Sequence, residues 1–248
     1  MRITRDLFLP IGYPALYVKG LKTVVISDLH LGFESAVSSE GIYLPRVQLK
    51  KAIDLITNLS KITEAEILVI NGDLKHVFEK LTVQEREEST KFLSVAKDFF
   101  KEIILVRGNH DNYISVVTDR FDIPIVEKLE LNQETVALHG HFYNEEILRY
   151  KYIVIGHEHP SLRVPDELGG VLRFPCFLLT PLRNGSTVIV LPAAGHYQTG
   201  NPVTLDENQY LSPIMREQGV IGESVPYVID YGKLTLEFPR LSKLMLIS

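Results

Sequence analysis

The chain has 248 residues, 45% of them hydrophobic, which is enough for a single domain spanning 1–248 with a buried core. Its formal net charge of −5 argues against a generally basic surface that binds nucleic acid nonspecifically. The single cysteine, Cys176, excludes an internal disulfide and a metal cage of cysteines. No apolar run approaches the roughly 20 residues that cross a bilayer, and the N-terminal segment lacks a secretory signal, so we expect a cytoplasmic protein without a membrane partner.

Along the first half of the chain, short apolar runs alternate with amphipathic stretches. The runs predict strands, and the stretches, whose apolar residues recur about every 3.6 positions, predict helices. In chain order, the predicted elements are a hairpin of 15–19 and 23–27, a helix over 46–59, a strand over 67–70, a helix over 83–100 and a strand over 103–106. This order predicts parallel strands whose carboxyl ends share one edge of a sheet, where the chemistry of such folds collects.

The second half is richer in strands. The predicted elements are strands over 136–138, 152–155, 171–179 and 187–191, a long loop over 192–224 with a short helix at 214–218, and a closing hairpin of 225–230 and 233–238. A loop of that length is usually functional or disordered. An α/β half followed by a β-rich half predicts two sheets packed face to face with helices outside.

Clusters of Asp, Asn and His follow or adjoin the predicted strands. They are Asp28-Leu29-His30, Gly72-Asp73 with His76, Gly108-Asn109-His110-Asp111, His139-Gly140-His141 and Gly156-His157-Glu158-His159. Side chains two positions apart in an extended segment leave on the same side, so a carboxylate and an imidazole in D-x-H spacing can bind one cation. A single Gly-Asp is more often a turn or a helix cap, but an Asp at a strand end can also bridge two ions with its two oxygens.

The third cluster, around Asn109, is more specific. The Asn109 amide oxygen is a hard, neutral ligand, His110 can face a substrate, and Asp111 can orient the His110 ring through a hydrogen bond. A polar turn is the alternative interpretation. Paired histidines in H-x-H spacing at a strand end, as in His157 and His159, favour a metal site over a chance pair in the core.

Taken together, the motifs DxH, GD, GNHD, HGH and GHxH over residues 24–159 resemble the calcineurin-like metallophosphoesterase family. The resemblance implies an α/β four-layer αββα sandwich with two mixed sheets, and a centre of two divalent ions. Matching the motifs residue by residue assigns Asp28, His30, Asp73 and His159 to one ion. The same match assigns Asp73, Asn109, His139 and His157 to the other ion. His110 matches the catalytic histidine of the family, and Asp111 is its expected catalytic neighbour.

A finer resemblance is to the DNA ligase-associated or archaeal SbcD-related phosphoesterases. Six segments carry it: 30–34, 41–45, 72–76, 156–160, 174–178 and Leu191-Pro192-Ala193-Ala194. That subgroup implies association with DNA-repair enzymes, which does not establish a substrate.

We expect a metal-dependent hydrolase that attacks phosphodiester bonds of nucleotides or nucleic acid with a hydroxide activated by two metal ions. Mixed nitrogen and oxygen ligands without thiolate favour Mn, with Fe, Zn, Ni or Co as alternatives. A phosphomonoesterase on small metabolites remains open, as does an inactive protein-binding scaffold. A basic stripe of Lys50, Lys51, Lys75 and Lys80 is a further possibility, as is a homodimer.

Four histidines have more than one interpretation. Either His139 or His141 could be the ligand; the family match favours His139 and leaves His141 either supporting the ligands from behind or facing the substrate. His76 could meet a phosphate or pack beneath the site. His196, in the long loop, is a candidate lid or substrate-facing residue.

Overall fold

Two mixed β-sheets lie face to face, with helices on their outer surfaces. The computed structural model describes residues 1–165 and 170–244. Within them, the first sheet consists of β1 (Leu7–Phe8), β2 (Leu16–Val18), β3 (Thr23–Ile26), β4 (Ile67–Asn71), β5 (Glu102–Val106) and β6 (Ile125–Val126). These strands are adjacent in chain order, and β3, β4, β5 and β6 run parallel. The predicted hairpin is confirmed as the antiparallel pair of β2 and β3.

The second sheet takes its strands from the rest of the chain. They are β7 (Lys128–Asn132), β8 (Thr135–Leu138), β9 (Tyr152–Ile155), β10 (Pro160–Pro165), β11 (Val171–Pro181), β12 (Thr187–Val190), β13 (Asn201–Pro202), β14 (Val225–Asp230) and β15 (Leu234–Glu237). Their order is β13-β10-β11-β12-β9-β8-β7, and β14 pairs with β11 and β15. The parallel pairing of β8 with β9 positions the site, because both strands end at the same edge.

The described helices differ in length between the two halves. They are α1 (Phe33–Ser39), α2 (Gln48–Ile62), α3 (Val83–Phe99), α4 (Ser115–Thr118), α5 (Pro213–Gln218) and α6 (Leu241–Leu244). A capping box starts α3: Thr82 accepts from the Glu85 amide and Glu85 from the Thr82 amide. None of the described helices is long and apolar enough to span a membrane.

The core has three layers because strand side chains alternate between the two faces of each sheet. In β3, Val24 and Ile26 pack under α2 and α3, whereas Val25 packs between the sheets against residues such as Val154 and Ile189. Residues of α5 and α6 cover the outer face of the second sheet. The expected α/β sandwich of two mixed sheets with helices outside is confirmed.

Some boundaries differ from the sequence predictions. The helix expected over 46–59 begins at Gln48 and continues to Ile62. The expected loop 192–224 contains β13, α5 and two short 3-10 helices, Glu207–Gln209 and Ile221–Glu223. The short helix α1 was not predicted.

Candidate metal centre

The first two motifs lie side by side because backbone pairing continues beyond the ends of β3 and β4. The Asp28 amide donates to the Gly72 carbonyl at 3.0 Å, and the His30 amide donates to the Asp73 carbonyl at 2.9 Å. This continued parallel register places the side chains of Asp28, His30 and Asp73 at one edge of the first sheet.

The second sheet brings its histidines to the same edge. His139 follows β8, and the His157 and His159 segment follows β9. The His139 ring Nδ1 lies 2.9 Å from the Asn71 carbonyl oxygen, and the His157 amide donates to Asp28 Oδ2 at 3.1 Å. The centre therefore spans both sheets and depends on their packing.

Two groups of ligating atoms result. The first donor group is Asp28, His30 and His159, in which His159 Nε2 lies 3.1 Å from Asp28 Oδ1 and 3.3 Å from His30 Nε2. The second donor group is Asp73, His139 and His157, whose ligating atoms all lie within 4.8 Å of one another.

Asp73 connects the two groups. Its Oδ2 lies 3.3 Å from His139 Nε2 and 3.7 Å from His30 Nε2. Asn109 joins the second donor group, since its Oδ1 lies 3.2 Å from His139 Nε2. All seven residues proposed as ligands from the sequence are thus brought together.

Backbone conformation singles out the same residues. Eight non-glycine residues of the described chain have positive φ, and five of them are predicted ligands: Asp28, His30, Asp73, His157 and His159. Left-handed backbone is uncommon for residues other than glycine, although Asp and His adopt it more readily than most, and such conformations cluster at functional sites.

The catalytic candidate His110 lies on the open side of the centre. Its Nε2 lies 3.9 Å from Asp73 Oδ2, and its side chain is 26% exposed. Its Nδ1 contacts the carbonyl oxygen of His76. Because a carbonyl only accepts, Nδ1 carries a hydrogen, and Nε2 is the atom that can gain and release a proton.

The predicted hydrogen bond from Asp111 to the His110 ring is wrong. The Asp111 carboxylate is buried and accepts from the backbone amides of Gly108, Asp73 and Leu74, at 2.8, 2.9 and 2.9 Å. It stabilises the turn beneath the centre, while the His110 ring points towards solvent.

The remaining histidines occupy different positions. His76 stacks on His110 with ring centroids 5.6 Å apart, and its Nδ1 lies 3.3 Å from His30 Nδ1. His141 lies outside both donor groups, 5.5 Å from His139 between ring centroids, with its Nδ1 buried and unpaired within the described chain. His196 is exposed, its backbone amide donates to Gln48 Oε1, and it belongs to neither donor group. Lys75 is buried, with its Nζ bonded to the carbonyls of Val77 and Lys80, so it cannot join an exposed basic stripe.

The electrostatics of the centre favour a bound cation. Burial, helped by His159, lowers the pKa of His30 to about 3, although Asp73 opposes that shift. Burial also disfavours a charged His139, but Asp73 and Asp28 outweigh it and raise the pKa of His139 to about 9. Despite burial, the same pairing with His139 keeps the pKa of Asp73 below its ordinary value. The carboxylates stay ionised and draw in positive charge.

This donor set fits divalent metal ions. Ring nitrogens of His30 face those of His159 and His76 at 3.3 Å, an arrangement that a shared cation would satisfy. His30, His76 and His110 form a third possible group, but it contains no carboxylate to balance a cation. Nitrogen and oxygen ligands without thiolate suit Mn, Fe, Co, Ni or Zn.

Buried carboxylates behind the centre hold its loops, and sequence reasoning missed their role. Each accepts a backbone amide: Glu34 from Val47 and Gln48, Glu85 from His76, Glu88 from Gly32, and Glu158 from Leu211. The Thr82-x-x-Glu85 capping pattern was the one sequence signal that could have identified a member of this set.

A family model for the calcineurin-like phosphoesterases matches residues 21–150, which include the motifs up to His141. The chain belongs to the calcineurin-like phosphoesterase family. It is a metal-dependent phosphoesterase, in agreement with the donor groups described above.

Solved structures provide a comparison of the fold. The nuclease MPE of Pseudomonas putida is 20% identical, with 90% of this chain and 91% of that chain covered and a TM-score of 0.61. The E. coli phosphoesterase Yfce is 16% identical, with 88% and 98% covered and a TM-score of 0.44. At 20% identity, the likeness to the nuclease MPE structure shows a shared fold. A comparison with curated proteins found no match.

Proposed function

We propose that this chain hydrolyses phosphodiester bonds at a centre of two divalent ions, with nucleotides or nucleic acid as its substrates. The observation that carries the proposal is the position of Asp73 Oδ2, 3.3 Å from His139 Nε2 and 3.7 Å from His30 Nε2, between the two donor groups. A single carboxylate in that position can serve two ions at once.

The ligand sets follow from the two groups. Asp28, His30, Asp73 and His159 would hold one ion. Asp73, Asn109, His139 and His157 would hold the other. Bound ions would supply Lewis-acid charge to the phosphoryl oxygens and lower the pKa of a water molecule between them.

The chain's own catalytic contribution centres on His110. With Nδ1 anchored on the His76 carbonyl, Nε2 faces the open side and can donate a proton to the departing oxygen. His76, stacked on His110, restricts the orientation of the His110 ring, and it is the proposed contact for a phosphoryl oxygen. Asp111 acts indirectly, by stabilising the backbone that carries Asp73.

Nucleic acid is the substrate to test first, because the Pseudomonas putida protein is described as a nuclease. The segments that resemble the DNA ligase-associated or SbcD-related phosphoesterases imply an association with DNA-repair enzymes, which does not by itself establish the substrate. Mn is the proposed native metal. A non-catalytic scaffold is disfavoured because His110 and the donor groups converge.

The test begins with metal-free protein, obtained with a chelator and then loaded separately with Mn, Fe, Co, Ni or Zn. We expect metal-dependent hydrolysis of bis-p-nitrophenyl phosphate to exceed that of p-nitrophenyl phosphate. Labelled single-stranded DNA and RNA, assayed beside cyclic nucleotides, then separate a nuclease from a small-molecule diesterase. Faster hydrolysis of the monoester would reject the diesterase proposal, and no hydrolysis with any metal would favour the scaffold.

A further inference from the structure

Two exposed phenylalanines adjoin the candidate metal centre. In the described part of the chain, the exposed phenylalanines are Phe78 (48%), Phe99 (38%) and Phe142 (46%). Phe78 contacts His110 with ring centroids 6.0 Å apart, and Phe142 contacts His141 at 4.6 Å. Single exposed apolar side chains are common on protein surfaces, so the informative feature is the position of these two rings, each in contact with a histidine at the centre, where a ligand could reach them.

The backbone next to each ring is held in place. A single oxygen of Glu85, Oε1, accepts the amides of His76 and Val77, and Asn112 donates to the Phe78 carbonyl at 3.1 Å. On the other side, Ser212 Oγ donates to the Gly140 carbonyl at 2.6 Å, two residues before Phe142. Rings on an anchored backbone lose less conformational freedom when they bind a ligand.

The two rings contact different histidines at the centre. Phe78 contacts His110, the proposed proton donor to the departing oxygen. Phe142 contacts His141, whose ring centroid lies 6.2 Å from that of His157 in the second donor group. In a polynucleotide, each phosphate joins two sugars, and each of those sugars carries a base.

We propose that Phe78 and Phe142 stack on the nucleobases that flank the scissile phosphate, so that the substrate is an unpaired stretch of a polynucleotide. Aromatic rings stack on any base, because every base offers a π-face, and such contacts tolerate sequence changes. In a duplex, neighbouring base pairs already cover those faces. This inference rests on the proposed diesterase function and adds the residues that select the substrate.

The test uses an oligonucleotide with one natural diester among methylphosphonate linkages, with the two flanking bases either present or removed. Wild-type protein should show a kcat/KM about 5- to 150-fold higher for each flanking base that is present. Phe78→Ala and Phe142→Ala should each reduce this preference. Phe78→Leu and Phe142→Leu should do the same, because leucine is apolar but lacks a ring, whereas the tyrosine variants should keep it.

The matched control is Phe99→Ala, which removes an exposed phenylalanine at the end of α3 and should leave the preference intact. For each variant, the loss of kcat/KM caused by removing the ring and the loss caused by removing the base that it contacts should not be additive. Additive losses, or leucine variants that match wild type, would overturn stacking and point to an apolar contact such as a protein partner.

The two proposals fail in distinguishable ways. Hydrolysis of bis-p-nitrophenyl phosphate without cleavage of either oligonucleotide would overturn this inference and leave the diesterase in place. Absence of hydrolysis of every ester with every metal would reject the proposed function, and the stacking residues with it.

Discussion

Asp73 Oδ2 lies 3.3 Å from His139 Nε2, although the two residues follow strands of different sheets. Asp73 comes shortly after β4 in the first sheet, and His139 follows β8 in the second. The apolar layer between the sheets, which contains Val69 and Ala137, fixes this distance. The centre is therefore a product of tertiary packing, and Asp73 is the residue common to both proposed ligand sets.

Replacing Asp73 with Asn should remove metal from both positions. Asn keeps the shape of the side chain but removes the charge that both donor groups share. We expect metal content, measured by plasma mass spectrometry after gel filtration, to fall from about two ions per chain to below one. The control is Asp119→Asn, an exposed position away from the centre. An Asp73→Asn protein with full metal content would contradict the bridging role.

Replacing His110 with Ala should slow the hydrolysis of esters whose leaving group needs a proton more than that of esters whose leaving group does not. An alkoxide leaves poorly without protonation, so hydrolysis of alkyl esters should slow by about 10²- to 10⁴-fold. Esters of p-nitrophenol, whose anion is stable, should be affected much less, and metal content should not change. Equal losses on both kinds of ester would show that His110 acts by some route other than proton donation.

Much of the sandwich could be predicted because its signals are local. The apolar runs that became β4, β5 and β9 are short, continuous and bounded by polar motifs. Residues buried on both faces of a sheet leave that pattern in the sequence. The position of the motifs at the ends of parallel strands followed from the order of the elements alone.

The supporting contacts could not be predicted, because they join residues far apart in the chain. Glu88 accepts the amide of Gly32, 56 positions away, and Glu158 accepts that of Leu211, 53 positions away. No periodicity marks such partners. The error over Asp111 has a related cause: adjacent residues were assumed to face each other, whereas Asp111 points inward beneath the turn and His110 outward.

A methyl group at Gly156 should disrupt the centre through steric overlap. An added Cβ would overlap Ser27 Oγ and lie 2.6 Å from Asp28 Oδ2, so the loop with His157 and His159 would have to move. We expect Gly156→Ala to lower stability by about 1–3 kcal/mol and to weaken metal binding. Thermal unfolding and metal titration measure the two effects.

Gly222→Ala is the matched control for this substitution. Its Cβ would meet only Ser242, at an ordinary 3.5 Å, so neither stability nor metal binding should change. If Gly156→Ala changed neither stability nor metal binding, the close approach of the two sheets at Asp28 would not be needed for an intact metal centre.

Glu158 lies between two proposed ligands in the sequence, yet its carboxylate is buried away from them. Its Oε2 accepts the Leu211 amide at 3.0 Å, and its Oε1 accepts the amide of Ser212, the residue before α5. In Glu158→Gln, the side-chain oxygen can still accept one of these two backbone amides. The side-chain NH2 group would face the other backbone N–H, and two donors cannot form a hydrogen bond. Stability should therefore fall by about 1–3 kcal/mol, the cost of an unpaired buried polar group. Urea unfolding measures it.

The same substitution should also weaken metal binding, because the Glu158 backbone joins His157 to His159 and its side chain anchors that loop to the segment before α5. Glu87→Gln, an exposed carboxylate on α3, should change neither property. A Glu158→Gln protein that loses stability but binds metal as tightly as wild type would show that the loop keeps its ligands in place without this anchor. In that case the left-handed backbone at His157 and His159, rather than the buried carboxylate, would hold the ligands in position.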